Sequence, residues 1–79
     1  MENNVTQKIK RVMADILNIS EASISNETSS ENTEAWDSAN HIQLVVALEE
    51  EFSISFDIKE FEMMLSYPEI INLVTAKLG

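Results

Sequence analysis

The one stretch of this chain that reads as a short strand has no second strand to pair with. Ser53 to Phe56 puts Ile54 and Phe56 on one side, as a short strand would. An unpaired strand leaves its backbone donors and acceptors unsatisfied, and no second strand is expected that could accept them. The stretch is therefore expected to be an extended linker that buries both side chains. The remaining apolar residues recur mostly at helical spacing, so the chain must build its core from helices.

Four such segments can be placed. Val5, Ile9, Val12, Met13, Ile16 and Leu17 share one side of a first helix, with Lys8, Lys10, Arg11 and Asp15 largely on the others. Asn4 is placed to cap it, Gln7 sits where a reciprocal capping side chain belongs, and Asn18 marks the exit. A second helix, capped by Asp37 or Ser38, runs to about Phe52. Ile42, Val45, Val46, Glu49 and Phe52 have helical spacing along it, with Leu44 and Leu48 in an adjoining row, a width that implies several neighbours. Asp57 and Glu60 form a capping box opening a short helix that carries Ile58, Phe61, Met64 and Leu65. Ser66 and Glu69 repeat the signature, with Pro68 in the first turn and Ile70, Ile71, Val74 and Leu78 lining the last helix. Between Asn18 and Trp36 the periodicity stops in a run of Ser, Thr and Asn. A long loop is expected there, with a short helical turn near Glu21–Ser25 and with Ile19, Ile24 and Trp36 as its anchors. The predicted fold class is all-α: three main helices and one short one around a single core, with a long loop after the first helix.

At 79 residues the chain has room for one domain, spanning 1–79, and its 44% hydrophobic content is enough to form a core. With no cysteine there is no disulfide, no thiolate nucleophile and no zinc–sulfur site. Residues 1–17 are charged throughout and lack the apolar core of a signal peptide, and no stretch reaches the ~20 apolar residues of a membrane span. A cytoplasmic, monomeric protein is expected, with no membrane insertion. Fourteen acidic residues against five basic ones give a formal charge of −9. Such a field repels nucleic acid and anionic membranes and attracts basic protein surfaces; it also keeps a protein soluble.

Catalytic constellations are missing from the sequence. His41, the one histidine, lies near Asn40 and Gln43 without the companions of a relay or metal site, and is expected to be a partly exposed structural or contact residue. Glu49, Glu50 and Glu51 lack the spacing and glycine of a calcium loop and suit a protein-contact face or plain solvation. Ser38 stands where the polar loop meets the central helix, beside unpaired backbone N–H groups. It is either a cap or an attachment point for an anion that those donors and the helix dipole stabilise.

The run from Trp36 through Asp37-Ser38-Ala39-Asn40-His41-Ile42-Gln43-Leu44-Val45-Val46-Ala47-Leu48 to Glu49-Glu50-Glu51-Phe52 resembles the acyl carrier proteins. That family opens its second helix with Asp-Ser, usually followed by leucine, and the likeness of helix order extends over essentially the whole chain. The resemblance implies that Ser38, next to Asp37, carries 4′-phosphopantetheine transferred from coenzyme A by a phosphopantetheinyl transferase. The group's thiol then holds acyl or aminoacyl intermediates as thioesters, supplying the sulfur that a cysteine-free chain lacks. It implies docking of acyl- or aminoacyl-loading and condensing enzymes, with basic surfaces, on the second helix. The positions carried over are Asp37, Gln43, Glu49 and Glu50, with Gln43 standing where many members have glutamate. Ala39, Ile42 and Val46 would flank the arm. On this basis the chain is a non-catalytic carrier in fatty acid, polyketide, nonribosomal peptide or other specialised biosynthesis. Ala39 in place of leucine, Trp36 before Asp37 and a glycine-poor loop are more similar to the specialised carriers. The competing expectation is a cofactor-free acidic helical module that binds other proteins.

Overall fold

Short polar side chains decide where three of the helices start. The computed structural model describes residues 4–79 and contains four α-helices among them: α1 (Asn4–Leu17), α2 (Ser38–Phe52), α3 (Ile58–Met63) and α4 (Tyr67–Leu78). Asp37 caps α2, its carboxylate accepting from the Asn40 N–H at 2.9 Å, so Ser38 is the first helical residue. Asp57 caps α3, and Glu60 closes the reciprocal box by accepting from the Asp57 N–H. Ser66 caps α4, with Pro68 where a missing N–H costs little. Asn4 is already helical, so the cap expected of it is not made, and the residues before it lie outside the described ones.

Two helices end on left-handed residues. Asn18 and Ser53 both have φ of 55°, and the N–H groups of Ile19 and Ile54 reach back to the Ala14 and Glu49 carbonyls at 3.1 Å each. Asparagine accepts that conformation readily; serine pays roughly 1 kcal/mol for its Cβ.

The core lies between α1, α2 and α4. Ile9, Met13 and Leu17 meet Leu44 and Leu48 from α2, Ile70 and Val74 from α4, and Met64 just after α3; all are essentially sealed from solvent. Each such side chain contributes about 1.5–3 kcal/mol by leaving water. The expected linker is confirmed: Ile54 and Phe56 are half-buried against this cluster, and the described residues form no strand, only one antiparallel bridge between Ser29 and Ser66. Three expectations need correcting. On α2 the inward side chains are His41, Leu44, Val45 and Leu48, while Ile42 and Val46 are 54% and 48% exposed, because the buried stripe straddles the two apolar rows and a helix cannot turn the full width of both into one core. Ile58 is 78% exposed and Leu65 44%, since α3 is under two turns long and only Phe61 and the following Met64 reach inward. Leu78, in the last turn of α4, also overhangs the core.

The loop from Asn18 to Asp37 is ordered by its own polar side chains. A 3-10 turn at Glu21–Ser23 is capped by Ser20, and Ile24 and Trp36 are buried as anchors while Ile19 packs at the core's edge. Asn32 accepts from the Ser29 N–H through Oδ1 and donates to the Glu27 carbonyl through Nδ2. Thr28, itself buried, accepts from the Ser25 N–H. Two backbone bonds then fasten the loop to the α3–α4 junction: Ser30 N–H to the Leu65 carbonyl (2.8 Å) and Tyr67 N–H to the Thr28 carbonyl (2.9 Å). The radius of gyration, 11.3 Å, matches the about 11.6 Å of a fully collapsed chain of this length, so the loop adds no extension.

Candidate functional site

The start of α2 is a helix N-terminus with donors unspent. Asp37 caps it through the Asn40 N–H, and the His41 N–H takes the Asp37 carbonyl at 2.8 Å. The N–H groups of Ser38 and Ala39 have no acceptor among the described residues, and the Ser38 hydroxyl makes no hydrogen bond there either. Both residues are exposed. The choice between cap and attachment point is thus narrowed, because Asp37 does the capping and leaves the Ser38 Oγ uncommitted.

Beneath this end lies a polar network that departs from the expectation of a partly exposed histidine. His41 is 7% exposed, and its Nδ1 accepts from the Trp36 indole N–H at 3.0 Å. That bond fixes the tautomer, with the proton on Nε2 donated to the Phe61 carbonyl at 2.8 Å. The Phe61 ring meets the imidazole edge-on at 4.6 Å between centroids. Trp36 from the loop, His41 from α2 and Phe61 from α3 are therefore joined through one ring. Asn40 adds a second tie, donating from Nδ2 to the Ala35 carbonyl at 2.7 Å. The chain carried one available signal for this network: a Trp and a His five residues apart across a helix start, each with an N–H to satisfy if buried.

A cleft of about 330 Å³ opens beside the site, lined by Ser30, Trp36, Asp37, Ser38, His41 and Leu65. Ser30 and Leu65, which sequence reasoning did not assign to the site, reach it because the loop is bonded to the α3–α4 junction. Further along α2, Ile42 and Val46 continue the exposed row begun by Ser38, at intervals of four residues. Gln43 and Glu50 are exposed, as is Glu51. Glu49 is half-buried, and its Oε2 accepts from the Phe56 N–H at 2.8 Å, tying α2 to the linker. Asp15, Glu50 and Glu51 rim a shallow groove floored by Val12, Ile16 and Ala47.

An anion on Ser38 Oγ fits this end of the helix. The Ser38 and Ala39 N–H groups at this end are unspent, and the helix dipole is worth about 0.3–1 kcal/mol to a negative charge at the first turn. Against that, a neighbouring carboxylate such as Asp37 repels an anion by about 1 kcal/mol in water. The two terms nearly cancel, so the site tolerates a phosphodiester without depending on charge to hold it. No three His, Asp or Glu side chains among the described residues are grouped as metal ligands. No helix of the described residues is long and apolar enough to cross a membrane.

Comparison with known proteins agrees with this geometry. Residues 7–76 match the family described as the phosphopantetheine attachment site. The fold is similar to the solution structure of a holo acyl carrier protein from Geobacter metallireducens, with a TM-score of 0.83 and 25% identity over 96% of this chain and 87% of that one. A match over nearly all of the described helices, on a fold of the same helix order, makes this chain a member of the phosphopantetheine-bearing acyl carrier protein family, with 4′-phosphopantetheine as its prosthetic group.

Proposed function

We propose that Ser38 Oγ is the atom to which 4′-phosphopantetheine is attached, and that the chain is a non-catalytic carrier holding acyl or aminoacyl groups on that arm. The observation that carries this reading is the division of labour at the start of α2: Asp37 caps, and Ser38 is exposed with its hydroxyl and two neighbouring N–H groups unspent. The group supplies the thiol, while the protein anchors it and offers surfaces to the enzymes that load and use it. Tethering raises the local concentration of the intermediate at each docked enzyme and prevents its loss by diffusion.

Docking on this reading uses the acidic end of α2 and the exposed apolar row. Glu50 and Gln43 face basic partner surfaces, Asp37 and Glu49 add negative charge beside them while held by their own hydrogen bonds, and Ala39, Ile42 and Val46 flank the arm. Individual exposed charge pairs are worth roughly 0–1 kcal/mol and are screened by salt, which suits brief encounters with several enzymes. Trp36 before Asp37 and Ala39 after Ser38 favour a specialised pathway (polyketide, nonribosomal peptide or polysaccharide acylation) over housekeeping fatty-acid synthesis.

Intact mass after incubation with coenzyme A and a broad-specificity phosphopantetheinyl transferase tests the assignment. Wild type is expected to gain one phosphopantetheine, and Ser38→Ala none. Because Asp37 is the cap and alanine a strong helix former, Ser38→Ala should change stability by about 0.5 kcal/mol or less, so a folded, unmodified variant is informative. A mass gain that survives Ser38→Ala would overturn the assignment.

A further inference from the structure

The cleft beside Ser38 has walls of three different origins, and each wall is held in place before any ligand arrives. Ser30 is fixed by its N–H bond to the Leu65 carbonyl, which also sets Leu65. Trp36 is fixed by His41, and His41 by Phe61. A cleft braced in this way loses little freedom when it is filled. Its lining is mixed in a specific sense. Leu65 is a large apolar side chain left 44% exposed, and it lines the cleft together with Trp36. Ser30 supplies a hydroxyl that makes no hydrogen bond among the described residues. Ser38 itself forms part of the wall, so a group attached to its oxygen begins beside the cleft.

We propose that this cleft is the resting place of the proximal half of the phosphopantetheine arm. The inference rests on attachment at Ser38 and adds where the arm lies. Beyond its phosphate the arm carries a carbon bearing two geminal methyls, then a hydroxyl and an amide. The methyls match Leu65 and the indole edge; the hydroxyl and amide match the Ser30 hydroxyl. A volume of about 330 Å³ is at the small end of ligand sites, enough for part of the arm and not for the arm with a cargo. The thiol end therefore stays outside and available to partner enzymes. Ile42 and Val46, an exposed helix row that does not line this cleft, are left to flank the distal half of the arm and its cargo.

Trp36 is the sole tryptophan, which gives the test a clean reporter. The holo protein is prepared with transferase and coenzyme A, its loading confirmed by mass, and its proton–proton NOEs recorded. Contacts from the geminal methyls to the Leu65 methyls and the Trp36 indole protons are expected, with the indole N–H resonance displaced from its apo position. Leu65→Ser, at an already exposed position, should load to completion and lose the Trp36 contacts. Complete loading with geminal-methyl contacts only to Ile42 and Val46, or with none to the protein, overturns this inference and leaves the Ser38 assignment standing. No mass gain at all removes both.

Discussion

The two ends of α2 are built from similar side chains and do opposite things. At its N-terminus a carboxylate, Asp37, is spent on capping, and a buried indole–imidazole–carbonyl chain holds the backbone beneath an uncommitted serine. At its C-terminus a carboxylate, Glu49, is spent on the Phe56 N–H, and the neighbouring Glu50 and Glu51 are left in water against the negative pole of the helix. One end conserves unspent donors and the other unspent negative charge. In both, a side chain that could have served a partner is used to fix the geometry, and its neighbour is thereby freed. The contrast also runs through the environment: the N-terminal brace is buried and uncharged, the C-terminal brace half-exposed and ionic.

That difference sets the largest expected effect. His41→Phe keeps the ring volume, strands the Trp36 indole N–H, and removes the shorter of two hydrogen bonds at the Phe61 carbonyl. Leaving the buried indole N–H unsatisfied and the Phe61 carbonyl with only its longer bond should lower stability by about 2–3 kcal/mol in urea unfolding, a large share of what a chain this small has. A loss below about 1 kcal/mol would mean that water replaces the imidazole and that the N-terminal brace is no more buried than its counterpart.

At the other end, Glu49→Ala removes one bond to a half-buried N–H that water can partly replace, and should cost about 1 kcal/mol. Glu49→Gln keeps an acceptor oxygen and should recover most of that loss. Equal losses for the two variants would show that charge, not the hydrogen bond, is what Glu49 supplies.

The sequence made the ends of these elements legible and the interior of the site only partly so. Asp57 with Glu60, and Ser66 with Glu69 and Pro68, were readable because capping acts over three residues. Ile24 and Trp36 were recognisable as anchors because a polar loop offers few apolar side chains to bury. His41 was not, since its burial depends on a carbonyl twenty residues away at Phe61. The same holds for Ile42 and Val46 against Leu44 and Leu48. Periodicity marks the apolar rows, but which of their members turn inward is decided by where α1 and α4 pack. Ser30 and Leu65 reach the cleft only through a backbone bridge between segments far apart in the chain, which leaves no local pattern.

A smaller effect separates bracing from docking at the acidic end. Glu50→Lys together with Glu51→Lys touches two exposed carboxylates and should leave stability nearly unchanged, within about 0.5 kcal/mol. It should slow association with a basic transferase or acyl-loading enzyme several-fold at low salt and flatten the salt dependence, as expected for encounter steering. Stopped-flow association measured over a range of ionic strength checks this. Rates that do not respond would place docking on the apolar row of Ile42 and Val46 instead.

The smallest expected effect concerns the ionic character of that same end, where the linker leaving α2 runs into α3. Glu60 accepts a hydrogen bond from Lys77 at 2.8 Å and another from the Asp57 N–H, and Lys77 lies 6.0 Å from the centre of the Phe56 ring. The Lys77 bond, then the Asp57 bond, hold the Glu60 carboxyl below its ordinary range; desolvation opposes them weakly, and the attraction of the Lys77 charge adds to them. A folded value below the unfolded one means that the ionised carboxylate favours the fold. Its contribution is complete above the unfolded value and is lost as pH falls through the lowered folded value. Glu60→Gln can still accept from the Asp57 N–H, so it should keep the capping box and lose only the ionic part. Wild type should therefore exceed Glu60→Gln slightly at neutral pH, with the gap closing on acidification and shrinking in high salt, because the pair is partly exposed. Urea unfolding of both proteins at a series of pH values measures that gap. A gap that stays constant across the series would assign the role of Glu60 wholly to its neutral hydrogen bonds, making the brace near α3 as uncharged as the one beneath Ser38.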